Sequence, residues 1–555
     1  MRHHTGETNF AQVVGGVGTA PTGVGATGRW QALGVRCARA FVDYGALAVS
    51  LLFSLVVIAR TAFTINGTTY FTLFDDAMIS LRYAQNFAAE HGLVWNAGEA
   101  PVEGYTNFLW TLWLAALHLL PIGTAQLPLL VMVSGALILL GNILAVGGIA
   151  TLLAPQSRFV RLFALWFTAC CYPLIYWTLR GMEVGLITLL ISAALLLTLR
   201  LRATFDRRTL AGLALLLSLG VLTRTDALLP AGIMGAFAVL VAQRRERFVI
   251  ACTLGGAVCG TFALHTLFRL YYYGYPFPNT YYLKVSGIGL DIRLATGLDG
   301  LLRIGIIHLA LPLIFATWYL VTRRRAVDRG VWLLVAIFLG QCAYSAYVGG
   351  DAWEWLPYAN RYITPGLPAL GIVVALAIDN LLRAERPYTV WRSWVRLGVP
   401  ALLVLLAVNG PSVADWVGQN AYRTDSQINL TAYGLALRET TAPTATVAVL
   451  AAGAIPYYAE RGSIDLLGKC DHVIATSPPH PVATFRPGHN KWDYAYSIGQ
   501  LRPDVIHLPA AWTTAADVAT ITGWGYQPLT ADLYVRRDSQ LVDRAALLAA
   551  VQRIP

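Results

Sequence analysis

Charge is what this chain has least of. Only 13% of its 555 residues are Asp, Glu, Lys or Arg, where a soluble globular domain carries about a quarter. With 56% hydrophobic residues, that shortage excludes a soluble domain and identifies a polytopic membrane protein. Cysteine is scarce as well. Of seven cysteines, Cys170, Cys171, Cys252, Cys259 and Cys342 fall in apolar runs, Cys37 in a basic N-terminal region, and Cys470 alone in a polar segment. No disulfide framework or metal quartet follows. Three motifs are missing too. There is no Gly-x-x-x-x-Gly-Lys, no His-Glu-x-x-His and no Gly-x-Ser-x-Gly, so ATP-driven transport, intramembrane zinc proteolysis and acyl hydrolysis have no anchor. The net charge of +11 is not a nucleic-acid surface. It comes in short clusters between apolar runs, never interleaved with aromatics, and reads as topology signals.

Residues 1–28 are rich in Gly, Thr and Ala without an apolar core. They are expected to be disordered rather than a signal peptide, and 1–40 to form a cytoplasmic tail. Apolar runs then predict about eleven transmembrane helices, at 41–63, 127–153, 160–179, 183–200, 208–222, 226–243, 248–272, 299–321, 330–348, 365–383 and 396–410. The basic clusters, among them RLRATFDRR (200–208), QRRER (243–247) and RRRAVDR (323–329), all fall on the cytoplasmic side on one condition. The Trp-rich stretch NFLWTLWLAALHLLP (107–121) must lie in the outer interface instead of crossing. The transmembrane domain is thus 41–410, with a first outer loop at 64–126. From 411 to 555 short apolar runs such as VAVLA, DVIHL and LYVRR alternate with helix-like stretches, predicting an extracytoplasmic α/β domain.

This topology sends Asp75, Asp76, Arg82, Glu103, Arg180, Glu183, Arg224, Asp226, Lys284, Asp351, Glu354 and Arg361 to the outer ends of spans or the outer loops. Ionisable residues there are retained mainly where they pair or line a polar cavity, so an outward-facing charged cavity is expected. Arg180 and Arg224 also suit interfacial anchoring, with Glu183 and Asp226 as ion-pair partners or Asp226 as a helix cap. The aspartate pair is harder to absorb. One Asp would cap the helix AMISLRYAQNFAAEHG, which carries a glycine stop signal; two exceed that need. Arg82, seven residues after Asp75, is expected on the same helical face, with Met78, Leu81 and Ala88 on the other. Three outer stretches, YYYGYPFPNTYYLK (271–284), VGGDAWEWLPYANRYITP (348–365) and PGHNKWDYAYS (487–497), combine aromatics with donors suited to a sugar or phosphate.

The block FDDAMISLRYAQNFAAEHGLVWNAGEAPVEGYTNFLWTLWLAAL (74–116) resembles the first outer loop of the actinobacterial terminal β-(1→2) arabinofuranosyltransferases, members of the GT-C class of polyprenyl-phosphate-sugar glycosyltransferases. The resemblance continues through RGMEVGL (180–186), LTRTDALLP (222–230), PFPNTYYLK (276–284), GGDAWEWLPYANRYITP (349–365), IPYYAERGSIDLLGKCDHVIA (455–475) and PGHNKWDYAYSIGQLRPDVIH (487–507). It implies a GT-C fold and an inverting transfer from decaprenyl-phosphoryl-β-D-arabinofuranose to cell-wall arabinan, with Asp75 or Asp76 as general base. Many relatives carry Asp-Asp-Ala-Tyr where this chain has Asp-Asp-Ala-Met. From their placement and chemistry, the donor's sugar and phosphate are expected to fall to Arg82, Arg180, Glu183, Arg224, Asp226, Asn279, Tyr281, Lys284, Asp351 and Arg361. The acceptor glycan falls to Glu103, Tyr105, Trp353, His489, Lys491 and Trp492. Paired carboxylates can attract a divalent cation, though nothing in the sequence requires one. Another polyprenyl-phosphate sugar, such as mannose, stays open as the donor. A secondary transporter or lipid flippase would instead place its charges near the bilayer midplane.

Overall fold

The computed structural model describes residues 44–352, 359–383, 398–406, 408–409, 424–481 and 484–554. The predicted N-terminal tail, Cys37, Trp353 and Glu354 lie outside them. All eleven apolar runs are mostly helical over their described residues, but fewer are long enough to cross unaided. Five helices qualify by length and composition: α4 (Leu127–Leu153), α7 (Val184–Ala203), α10 (Arg244–Tyr272), α14 (Arg329–Tyr347) and the run Thr364–Leu381, most of which is α15 (Leu367–Arg383). Two bent pairs raise the number to seven: α5 (Arg158–Ala169) with α6 (Tyr172–Leu179), kinked by 42°, and α12 (Leu290–Ile307) with α13 (Ala310–Arg323), kinked by 88°.

Of the four remaining runs, 396–410 is only partly among the described residues, and the other three differ in length. Helices α1 (Tyr44–Arg60), α8 (Arg207–Thr223) and α9 (Leu228–Val241) reach about 25 Å or less at 1.5 Å per residue, short of the roughly 30 Å hydrocarbon core. Helix α3 (Phe108–His118) is only about 16 Å long, too short to cross, as the charge argument requires.

Helix α7 sets the two ends of the bundle. Its start follows Glu183 and its end carries Arg202, about 30 Å away. Arg202 Nη2 donates to Asp328 Oδ2 at 2.6 Å, which brings the basic loops around 200–208 and 323–329 to one end, opposite the acidic and basic residues of the site.

The connection from α1 to the site is a hairpin, β1 (Ala62–Ile65) with β2 (Thr68–Phe71). Asn66 and Gly67 turn it with φ of 48° and 79°, the doubly left-handed turn that Asn-Gly adopts readily and that matches strand twist. Helix α2 (Asp75–Ala88) follows. Its cap position is Phe74, without a side-chain cap, so Asp75 and Asp76 are first-turn residues and not caps, where the helix dipole favours negative charge. The helix stops before the predicted glycine, and Glu90 takes the left-handed conformation at φ 63°.

In the C-terminal region the described chain resumes at a helix, Thr424–Thr440, and forms a five-stranded sheet. Strands β3 (Thr446–Val449), β4 (Gly462–Asp465), β5 (Val505–His507), β6 (Tyr526–Pro528) and β7 (Leu533–Arg536) lie in the order β4-β3-β5-β7-β6. The first three are parallel and the β7 pairings antiparallel. Strands β3, β5 and β7 are the VAVLA, DVIHL and LYVRR runs read from the sequence.

Because side chains alternate across a strand, β3 feeds two cores. Ala448 packs with Ile506, Tyr494 and Tyr526 on one side. Val447 and Val449 pack on the other with Ile79 and Tyr83 of α2, Trp95 and Tyr105 of the first loop, and Tyr273 beyond α10. The sheet therefore shares a core with the first loop, and that contact places C-terminal residues against α2.

Candidate active site

A cavity of about 390 Å³ opens where α2, the start of α7, the 224–226 turn, the 277–285 segment with its helix α11 (Asn279–Val285), the 359–362 loop and two C-terminal turns converge. That is an ordinary size for a ligand site. Its polar wall contains Asp76, Glu183, Arg224, Asp226, Lys284, Arg361, Lys469 and His489, and its apolar wall Leu228, Leu229, Leu283, Val285, Tyr344 and Val348.

Successive residues on a helix point about 100° apart, and this divides the aspartate pair. Asp76 faces the cavity. Its Oδ1 accepts from Lys469 Nζ at 2.7 Å and its Oδ2 from Arg361 Nη1 at 2.9 Å. Burial would raise this carboxyl, but Lys469 and then Arg361 outweigh it and hold Asp76 well below the usual carboxylate range. Asp75 turns away from the cavity and caps the short C-terminal helix Ala454–Ala459, accepting from Ala454 N at 2.8 Å and Gly453 N at 3.2 Å. Its carboxyl is pushed up to about 6, chiefly by burial, against the Ala454 hydrogen bond. The oxygens of the two carboxylates thus accept from cations or amides and do not form a chelating pair. Among the described residues there is also no cluster of three His, Cys, Asp or Glu side chains fit for a metal.

Each cation of the polar wall is held differently. Arg361 forks onto Asp351, with Nε to Oδ2 and Nη2 to Oδ1 both at 3.0 Å, and its own amide donates to the same carboxylate at 2.8 Å. Asp351 thereby positions Arg361 from behind without lining the cavity. Arg224 binds both oxygens of Asp226, at 2.9 and 2.6 Å, and Glu183 at 3.1 Å. Glu183 also accepts from Asn107 at 2.9 Å. Lys284 donates to the Tyr362 hydroxyl and sits 5.2 Å from the centre of that ring. It has no carboxylate partner among the described residues.

Other residues chosen from the sequence are brought to the cavity without charge: Tyr105, whose hydroxyl meets that of Tyr273 at 2.9 Å, half-exposed Tyr281, and His489. Burial and the nearby Lys469 keep the His489 imidazole neutral, far below its usual range.

Several predicted site residues are placed elsewhere. Arg82 does not share an open polar face with Asp75. It is buried and donates to Trp95 O at 3.0 Å and Arg461 O at 3.3 Å, tying the first loop to the C-terminal region. Arg180 is fully buried and donates to Thr72 O at 3.1 Å and Thr72 Oγ1 at 3.0 Å, fixing the approach to α2. Asn279 bridges His472 at 2.8 Å and Gly468 O. Lys491 is buried and its ammonium is spent on Ala475 O and Tyr282 O, at 2.9 and 3.1 Å. Trp492 stacks on His480, its ring centroid 4.0 Å away. None of these lines the cavity.

Glu103 is also outside the cavity, in a buried pair with Arg269 at 2.9 Å. Breaking such a pair strands a charge, so Arg269→Met is expected to destabilise the protein by about 3 kcal/mol. Thermal unfolding in detergent measures this, and an unchanged midpoint would show the pair to be dispensable.

Lys469 was not chosen from the sequence. It lies within the block IDLLGKCDHVIA that carries part of the resemblance, but its role depends on a turn the sequence does not announce. Buried Asp465 accepts from Leu467 N at 2.9 Å and Cys470 N at 2.7 Å, and Gly468, at φ 76°, reverses the chain just before the lysine.

A family profile described as "Domain of unknown function (DUF8728)" matches residues 415–541. No curated protein matches this chain in sequence. Among solved structures, ArnT from Cupriavidus metallidurans bound to undecaprenyl phosphate is similar with a TM-score of 0.53 and 14% identity, over 93% of this chain and 99% of that one. The oligosaccharyltransferase AglB from Archaeoglobus fulgidus, in complex with an inhibitory peptide and a dolichol-phosphate, is similar with a TM-score of 0.52 and 12% identity, over 90% of this chain and 74% of that one. The A. fulgidus oligosaccharyltransferase in its apo form (TM-score 0.49, 12% identity) covers 76% of this chain, which spans 64% of that structure's length. The chain is a polytopic helical membrane protein of the GT-C fold with a C-terminal sheet-containing region.

Proposed function

We propose that this chain is an inverting membrane glycosyltransferase that takes arabinofuranose from decaprenyl-phosphoryl-β-D-arabinofuranose and adds it as a terminal β-(1→2) residue to cell-wall arabinan. The observation that carries this reading is the two-sided cavity. One wall offers a carboxylate and a cation, Lys284, that no carboxylate among the described residues neutralises; the other is apolar. A lipid-linked sugar phosphate has the same two halves. Its phosphate suits the cations and its isoprenoid the leucine and valine wall. The bound lipid phosphates of the ArnT and AglB structures support the lipid class, and the resemblance of the 74–116 block supports the sugar.

In the reaction Asp76 takes the proton from the acceptor hydroxyl as that oxygen bonds to the anomeric carbon. The bond from that carbon to the phosphate oxygen breaks on the opposite face, and the lipid phosphate leaves with the electron pair, stabilised by Lys284 and Arg361. A resident divalent cation does not fit this donor set, since the oxygens of Asp76 already accept from two cations. The cavity and the C-terminal domain are assigned to the extracytoplasmic side of the plasma membrane, where arabinan is the partner glycan and Tyr105, Tyr281 and His489 offer acceptor contacts.

The test is transfer by the purified chain in detergent from synthetic decaprenyl-phosphoryl-arabinofuranose to an arabinan oligosaccharide, with linkage analysis and a competing mannosyl donor. A terminal β-(1→2) arabinofuranose is the expected product. Mannose in the product would reassign the sugar, and no transfer from any polyprenyl-phosphate sugar would overturn the reading. Lys284→Met should raise the donor KM about 10- to 100-fold, the worth of a hydrogen bond to a charged group, while leaving the acceptor KM unchanged.

A further inference from the structure

Two cations hold Asp76, and they are not equivalent. Arg361 is anchored from behind: its Nε, its Nη2 and its backbone amide all donate to Asp351, and its guanidinium carbon lies 5.2 Å from the Trp177 ring centre. Nothing entering the cavity need disturb those contacts. Lys469 has no such anchor. Its ammonium has Asp76 as its sole hydrogen-bond partner among the described residues, at 2.7 Å, and it stands in the cavity wall. The backbone that presents it is rigid, because Asp465 ties the turn at Leu467 and Cys470. The four-carbon stem beyond that backbone has rotatable bonds and a single charged point at its end, which is what distinguishes lysine from a forked arginine.

We propose that Lys469 changes partners during the reaction, holding Asp76 in the free protein and moving onto the phosphate of the lipid-linked sugar when that phosphate enters the cavity. The proposal rests on the reading of the cavity as a polyprenyl-phosphate-sugar site and adds a role for the C-terminal region in it.

Two consequences follow from one movement. The phosphate gains a charge-assisted donor beside Lys284, which strengthens as the leaving group takes on charge. Asp76 loses a cation on Oδ1 and keeps Arg361 on Oδ2, so one oxygen is open toward the acceptor hydroxyl. A carboxylate pinned between two cations is a weak base, and relief of one charge moves it back toward its ordinary basicity. The proton then passes from the acceptor to Asp76 and the electron pair to the departing phosphate, with no co-reactant. Donor binding and unmasking of the base become a single event.

Exchange makes Asp76 and the lipid phosphate competitors for one ammonium, so removing the competitor should tighten phosphate binding. The experiment measures binding of undecaprenyl phosphate to the full chain in nanodiscs for the wild type, Asp76→Asn, Lys469→Met and the double variant, with neutral undecaprenol as the control lipid. Expected are binding about 10-fold tighter in Asp76→Asn, about 10-fold weaker in Lys469→Met, and no gain from Asp76→Asn in the Lys469→Met background. Undecaprenol should bind all four alike.

Equal binding in wild type and Asp76→Asn would overturn the exchange, as would a gain that persists in the double variant, since it would then belong to Arg361. If Lys469→Met fails to fold, Lys469→Arg replaces it and is expected to keep phosphate binding while lowering kcat. Absence of phosphate-dependent binding in the wild type would instead sink the underlying reading of the site.

Discussion

Asp76→Asn is expected to lower kcat by about 10²- to 10⁴-fold, the range that a positioned general base contributes, with folding intact. Asparagine keeps the size of the side chain and still accepts one hydrogen bond, from Arg361 or Lys469, but it cannot take a proton. The wild-type pH profile should carry a companion signature. In the free protein two cations hold Asp76 well below the usual carboxylate range, against the effect of burial. A carboxyl with a lowered folded-state value contributes stability at pH above its unfolded value, and that contribution is lost as pH falls through the lowered one. Asp76 should therefore give kcat/KM no acid limb down to about pH 5, where the profile reports the free protein. In the donor complex, with Lys469 on the phosphate, its basicity rises, so any acid limb it produces belongs to kcat. An acid limb that sits at the same pH in both profiles and survives in Lys469→Met would assign the titration to another group.

Much of the membrane architecture was legible in the sequence because it follows from local properties: apolar length, basic clusters between runs, and alternating short strands. The chemistry was legible only in part. That Asp76, Glu183, Arg224, Asp226, Lys284 and Arg361 meet in one cavity follows from their common depth at span ends. Which neighbour each would take does not, since those neighbours come from far along the chain. The lysine bound to Asp76 lies 393 positions away, and the amides on Asp75 lie 378 and 379 positions away. Long separation also hid the fates of Arg82, which ties the first loop to the Arg461 carbonyl, and Asn279, which ties the 277–285 segment to the Gly468 carbonyl.

One signal for Lys469 was available. Lys284, Lys469 and Lys491 are the only lysines in the chain, while every basic loop uses arginine. Compact ammonium groups are thus reserved for three positions. Two of these line the cavity, and the third, Lys491, pins the Tyr282 carbonyl two residues before Lys284. Scarcity of the residue type, more than its local context, marked these positions.

Asp75→Ala is expected to damage the assembly of the site while leaving the reacting groups in place. It strips the acceptor from two buried amides, Gly453 and Ala454, at the start of a helix whose six residues are all buried. An unpaired buried amide costs about 1–3 kcal/mol, so a loss of about 2–4 kcal/mol is expected, read as a lower thermal midpoint and earlier proteolysis of the C-terminal region. Gly453→Ala attacks the same contact from the other side, because its methyl would run into the Asp75 backbone carbonyl, and should give the same phenotype with both aspartates present. Lys469 reaches Asp76 from the region so loosened, so transfer should fall about 10-fold in both variants, well short of the loss in Asp76→Asn. The comparison separates the two aspartates. If Asp75→Asn proved as inactive as Asp76→Asn while unfolding at the wild-type temperature, Asp75 would be the base, and the division of the pair between docking and chemistry would be reversed.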